Sequence, residues 1–231
     1  MKSISVVIPC YEMHSRGCEI LEQALNSLRI QRYKDFEIII SDHSKNDHIK
    51  NLCNNFDLLN IKYCAFSESF GSSSANVNNG IRNASGEIIK ILCQDDLMFD
   101  ENSIEKTVYA FENDINWLVT KYIHTRDGKG LFKEHTPKWN DNIQLCNTIG
   151  THSCLSFLNA APLMFDENLI WFMDCELYSR LNNKFGHPYI LKEITMINRI
   201  WDGSVTQSII TDKIIAEESN YIKNKVIVDN V

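Results

Sequence analysis

The chain has 231 residues, is 44% hydrophobic and carries a formal net charge of −7. Its size and apolar share suit one domain with a sizeable core. The acidic balance disfavours a nucleic-acid surface or a broad polybasic membrane patch, since both need clustered cations.

The N-terminus enters an apolar strand directly at Ile4–Ile8, closed by Pro9-Cys10-Tyr11-Glu12. Leu21, Leu25 and Leu28 follow at helical spacing, and Phe36–Ile40 reads as a second buried strand ending in Ser41-Asp42-His43-Ser44. Ile49, Leu52, Cys53 and Phe56 form a second helical stripe, and Ile61–Ala65 reads as a third strand. The polar stretch Ser67–Ser74 leads to a helix over Ala75–Asn83. Ile88–Cys93 is a fourth apolar strand, with Gln94-Asp95-Asp96 at its end. Asn102 and Glu105 have capping-box spacing ahead of a helix that carries Ile104, Val108 and Phe111. Beyond Trp117–Ile123, residues 125–150 read as loop or hairpin. Asp174–Leu181 reads as a helix with Gly186 past its end, Tyr189–Arg199 as extended, and Ile209–Val228 as a terminal helix. Strand and helix in alternation predict an α/β fold, a mostly parallel sheet covered on both faces.

Cysteine usage and the termini add little chemistry. None of the eight cysteines forms a CxxC pair, so buried reduced thiols are expected rather than a zinc ribbon or redox motif. No signal-peptide pattern or membrane-length apolar run is present, so a cytoplasmic location is expected. The inner membrane face is then reached peripherally, through a partner or the acceptor.

Three strands end in polar clusters, and ligands of open α/β sheets bind beyond such ends. No GxGxxG and no GxxxxGK[ST] is present, so a phosphate is not held by a Gly-rich loop. The adjacent carboxylates Asp95 and Asp96 repel each other, and such a pair suits a cation. Taken singly, Asp42-His43-Ser44 reads equally well as a turn or cap, and Tyr11 as cover for the core edge.

The ordered set Ser5–Glu12, Phe36–Asp47, Asn78–Ile81 with Ala84–Ile89, Leu92–Asp96 and Phe172–Leu181 resembles the family 2 glycosyltransferases. The resemblance runs from about residue 3 to residue 206. It implies a GT-A fold (nucleotide-diphospho-sugar transferase, Rossmann-like) over residues 1–208, with a helical appendage at 209–231. It also implies inverting transfer from a nucleotide-sugar donor, UDP-linked by preference with dTDP open, to a glycan or lipid-linked glycan acceptor. Surface-polysaccharide or glycan assembly is the pathway expected by analogy.

By the same resemblance Asp174 is the catalytic base, Asp96 the ligand of Mn2+ or Mg2+, and Pro9, Tyr11, Glu12, Asp42, Asn78 and Asp95 contact the donor. Asp174 also reads as a helix N-cap. Glu176 is the other acidic candidate, but on a helix it points about 200° away. Cys93 stands where many relatives carry an Asp, Val77 where many carry a basic residue, and Trp201 where many carry a His. The signature QxxRW of processive synthases is absent, so one sugar per event is expected. A GT-A-like domain that binds nucleotide-sugar or glycan without transfer is the rival reading.

Overall fold

A computed structural model describes residues 1–57, 60–68, 71–160, 162–204 and 209–229. Ser69 and Phe70 of the polar stretch and Val205 and Thr206 of the closing turn lie outside the described residues. The strands are β1 Ile4–Cys10, β2 Phe36–Asp42, β3 Ile61–Ala65, β4 Ile88–Ile91, β5 Leu97–Met98, β6 Trp117–Thr125, β7 Leu131–His135, β8 Leu155–Leu158 and β9 Tyr189–Arg199. The helices are α1 Gly17–Arg29, α2 His48–Asn54, α3 Ser73–Asn83, α4 Ser103–Ala110, α5 Met173–Phe185 and α6 Asp212–Asp229.

The sheet order is β3-β2-β1-β4-β8-β6-β9-β5, with β7 paired to β6. The first four strands are parallel. The second half is mixed: β8 runs antiparallel to both β4 and β6, β5 antiparallel to β9, and β6 parallel to β9. The expected parallel sheet therefore holds for the amino-terminal half. After β6, β7 follows by a hairpin and β8 by a long loop, and both run against β6, while α5 links β8 to β9.

Alternation along the strands builds a core on each face. Val6, Ile8, Ile38 and Ile40 pack with Leu21, Leu25 and Leu28 of α1. Val7 and Ile39 pack with Val77 and Ile81 of α3 and Leu177 and Leu181 of α5. Helix α3 sits so close that a Cβ on Gly80 would lie 2.4 Å from Val7 Cγ1.

Helix starts differ from the sequence reading in two places. Asn102 makes no side-chain cap. Asp100 Oδ1 accepts from Asn102 N and Ser103 Oγ, each at 3.0 Å, and Gln31 Oε1 accepts from Ile104 N at 3.0 Å. Neighbouring acceptors reach these amides first, so the expected box does not form. Likewise α5 begins one residue before Asp174, with Phe172 at the N-cap, so Asp174 lies in the first turn.

Helix α6 is docked. Ile222 is buried in the same core as α3 and α5, and Ile215 packs against it. All eight cysteines are free thiols. No helix among the described residues is long and apolar enough to cross a membrane.

Candidate functional site

Parallel register brings the strand ends level. Cys10 pairs with Asp42, and Val7 pairs with both Ile39 and Ile91. Gln94 ties the rim together: its Oε1 accepts from Tyr11 N and its Nε2 donates to Gly17 O, each at 2.9 Å. Between these anchors Met13, His14 and Ser15 all have positive φ, at 45°, 54° and 70°. Each such non-glycine residue costs about 1–3 kcal/mol, and strain of this kind concentrates at ligand sites.

The expected donor residues mostly gather at this rim. Pro9 pairs with Ser41 at the strand ends. Tyr11 is 37% exposed. Glu12 Oε1 accepts from Lys45 N at 2.7 Å and from Asn46 Nδ2 at 3.4 Å, which ties the β1 end to the loop after β2. Asp42 is buried, with Oδ1 accepting from Ser44 N at 3.0 Å and Oδ2 from Tyr63 Oη at 2.8 Å. Asn78 stands apart. Its Nδ2 donates to Phe165 O and Glu167 Oε1, both at 2.9 Å, and its Oδ1 accepts from Phe165 N at 2.8 Å. The amide braces the segment before α5.

Beyond β4, the ligand atoms of Cys93, Asp95 and Asp96 lie within 4.8 Å of one another. Asp96 is buried, and its Oδ1 accepts from Arg199 N at 2.8 Å and Asn198 Nδ2 at 3.0 Å. Its Oδ2 is buried without a hydrogen bond of ordinary geometry. Burial, and then the charge of Asp95, push the Asp96 carboxyl up to about 7. Asp95 is also raised by burial, while Trp201 and Arg199 oppose the shift. The Trp201 indole donates to Asp95 Oδ2 at 2.8 Å, and Arg16 lies over that ring at 5.1 Å. An orphaned buried carboxylate oxygen beside a second carboxylate fits a divalent cation.

Asp174 reaches the same region from α5. Its Oδ1 is 2.8 Å from His152 Nδ1, an ion-pair contact between side chains only 15% and 16% exposed. His152 Nε2 is in turn 3.2 Å from Cys93 Sγ. Burial disfavours the imidazolium, but Cys93 and Asp174 outweigh it and raise the His152 pKa well above the ordinary value. Burial pushes the Cys93 thiol up against the opposing pull of His152. Glu176, the other acid, is buried and paired with Arg180 and Lys225, each at 2.6 Å.

Two buried charged residues near the candidate site carry almost no sequence signal. Lys90 is fully buried in β4, donates to Ser153 O, and is lowered by burial to about 8. Glu218 of α6 is buried and accepts from Ile170 N, Trp171 N and Phe172 N at 2.7, 3.0 and 2.9 Å. It thereby holds the entry to the helix that bears Asp174.

The family model described as Glycosyl transferase family 2 matches residues 5–174. The chain belongs to glycosyl transferase family 2. A family member from Campylobacter jejuni, a GalNAc(5)-diNAcBac-PP-undecaprenol beta-1,3-glucosyltransferase, is 35% identical over 143 residues, which are 58% of this chain and 45% of the relative. This family 2 chain therefore spans about half the length of that relative. The fold is GT-A, shared with Staphylococcus aureus TarS residues 1–349 solved with UDP-GlcNAc, at TM-score 0.68 and 16% identity over 90% of this chain and 62% of that one. A mannosyltransferase from Pyrobaculum calidifontis, solved with GDP-Man and Mn2+, aligns at TM-score 0.62 and 12% identity over 86% of this chain and 57% of its own.

Proposed function

We propose that this chain is a nonprocessive inverting glycosyltransferase that moves a sugar from a UDP-sugar to an acceptor hydroxyl during surface-polysaccharide or lipid-linked glycan assembly. The observation that carries the reading is the meeting, across His152, of the Asp174 carboxylate and the Asp95–Asp96 cluster at one sheet rim. The complex of TarS with UDP-GlcNAc supports a uridine carrier, and the lipid-linked acceptor in the name of the Campylobacter relative supports the acceptor class.

In a single displacement the acceptor oxygen bonds to the anomeric carbon as the bond to the diphosphate breaks. Asp174 takes the hydroxyl proton as general base. Asp96, with Asp95 beside it, would hold Mn2+ or Mg2+, which supplies Lewis-acid stabilisation of the leaving diphosphate when bound. Asp42 accepts the imide N–H of the base, and Tyr11 packs on that ring. Pro9 and Glu12 shape the floor and the ribose edge. A peripheral association with the inner membrane face follows from a lipid-linked acceptor.

The test is a panel of UDP-sugars assayed for UDP release, with Mn2+ and with EDTA. Cation-dependent release from one or two sugars is expected. Tight UDP binding without release from any sugar, with lipid-linked acceptors supplied, would instead assign a binding domain.

A further inference from the structure

In the line of contacts from β4 to α5, Cys93 and His152 carry no step of the transfer chemistry described above. Cys93 follows β4, His152 opens the short 3-10 turn His152–Cys154 before β8, and Asp174 lies in the first turn of α5. The imidazole is held on several sides. Its Nδ1 is 2.8 Å from Asp174 Oδ1 and its Nε2 is 3.2 Å from Cys93 Sγ. The Phe165 ring packs edge-on at 5.6 Å. The turn itself is pinned, because Thr151 Oγ1 accepts from Ser153 N at 3.2 Å and Ser153 Oγ accepts from Cys93 N at 2.8 Å.

We propose that His152 is the positioning residue of the base: its Nδ1 side fixes one oxygen of Asp174, and Cys93 anchors the opposite edge of the ring. This rests on the reading of Asp174 as base. An aspartate on a helical first turn has several staggered rotamers open to it. A general base works only within hydrogen-bond reach of the proton it takes. The ion-pair contact keeps Oδ1 against the imidazole without a hydrogen bond of ordinary geometry, which leaves the other oxygen for the acceptor. The same ring couples the base to the strand end that carries the acidic cluster, so acceptor and donor sides keep a constant separation.

The experiment compares the parent 231-residue chain with His152→Ala, His152→Asn, His152→Gln and Asp174→Asn. UDP release from UDP-GlcNAc and UDP-glucose is followed with Mn2+, alongside UDP affinity by calorimetry. Asn places an amide N–H near the Nδ1 position, whereas Gln extends toward the Nε2 position. His152→Ala should lower kcat about 100-fold, the scale of a misplacement of about 1 Å, with UDP affinity kept within about twofold. His152→Asn should recover about tenfold of that loss and His152→Gln should not. Unchanged kcat in His152→Ala, or equal losses in all three variants, overturns the proposal. If the alanine variant does not fold, the Asn and Gln pair decides by itself. Asp174→Asn with normal turnover would remove the base reading instead.

Discussion

Glu218→Ala tests whether α6 is part of the catalytic body. The substitution removes the acceptor of three backbone N–H groups, at Ile170, Trp171 and Phe172, bonded at 2.7, 3.0 and 2.9 Å. A hydrogen bond to a charged group nets about 1.5–3 kcal/mol. Trp171 is 36% exposed, so its amide regains a partner from water and two bonds count in full. The expected loss is about 3–6 kcal/mol, a large part of the total stability of about 5–15 kcal/mol that a domain has. For a chain of this size that lowers Tm by about 10 °C. Glu218→Gln keeps one acceptor oxygen but turns an amide donor toward other donors, so it falls between parent and alanine. Urea unfolding followed by circular dichroism measures the loss. UDP release on the same samples should show kcat falling more than UDP affinity, because the freed segment leads into the helix bearing Asp174. An unchanged urea midpoint would refute the reasoning and return α6 to the status of a detachable appendage.

Three other outcomes are expected. Asp96 has a folded pKa of about 7 against about 3.9 in an unfolded chain, so its contribution to stability is complete below the lower value and lost as pH rises through the upper one. Cation-free protein should therefore lose stability from pH 5 to 8 relative to Asp96→Asn, and Mn2+ should restore more at pH 8 than at pH 5; a pH-independent difference between the two proteins would count against this. Asp42→Ala should weaken UDP binding by about 1–3 kcal/mol, with a smaller effect on kcat at saturating donor, and calorimetry that finds equal affinity would contradict the assignment. Trp201→His puts an imidazole where an indole N–H now meets Asp95 at 2.8 Å; it should lower the Mn2+ midpoint in the UDP complex and leave UDP binding in EDTA unchanged, and an unmoved midpoint would place residue 201 outside the cation shell.

Much of the amino-terminal half was legible because its signals are local. The runs Ile4–Ile8 and Phe36–Ile40 alternate between two cores, and leucines at helical spacing cover one of them. The strand-end residues Tyr11, Asp42, Asp95 and Asp96 could be singled out because such positions share one rim in a parallel sheet. Asn78 illustrates the opposite case: the brace it forms with Phe165 and Glu167 joins residues far apart in the chain and has no local signal. The capping of α4 failed for the same reason, since Asp100 and Gln31 compete for amides that a local pattern assigns to neighbours.

By itself, then, the sequence determined the alternating strands and helices, the polar rim and the acidic pair, because periodicity and strand ends act over a few residues. The tertiary structure alone decided that Cys93, His152 and Asp174 form one line of contacts, and that Lys90 lies buried under Ser153. It also decided that Glu218 closes the entry to α5. Each of these joins residues far apart in the chain through a single side chain, and the hydrogen-bond or ion-pair partner of one polar group is set by the packing of whole elements, which leaves no periodic trace in the residues between.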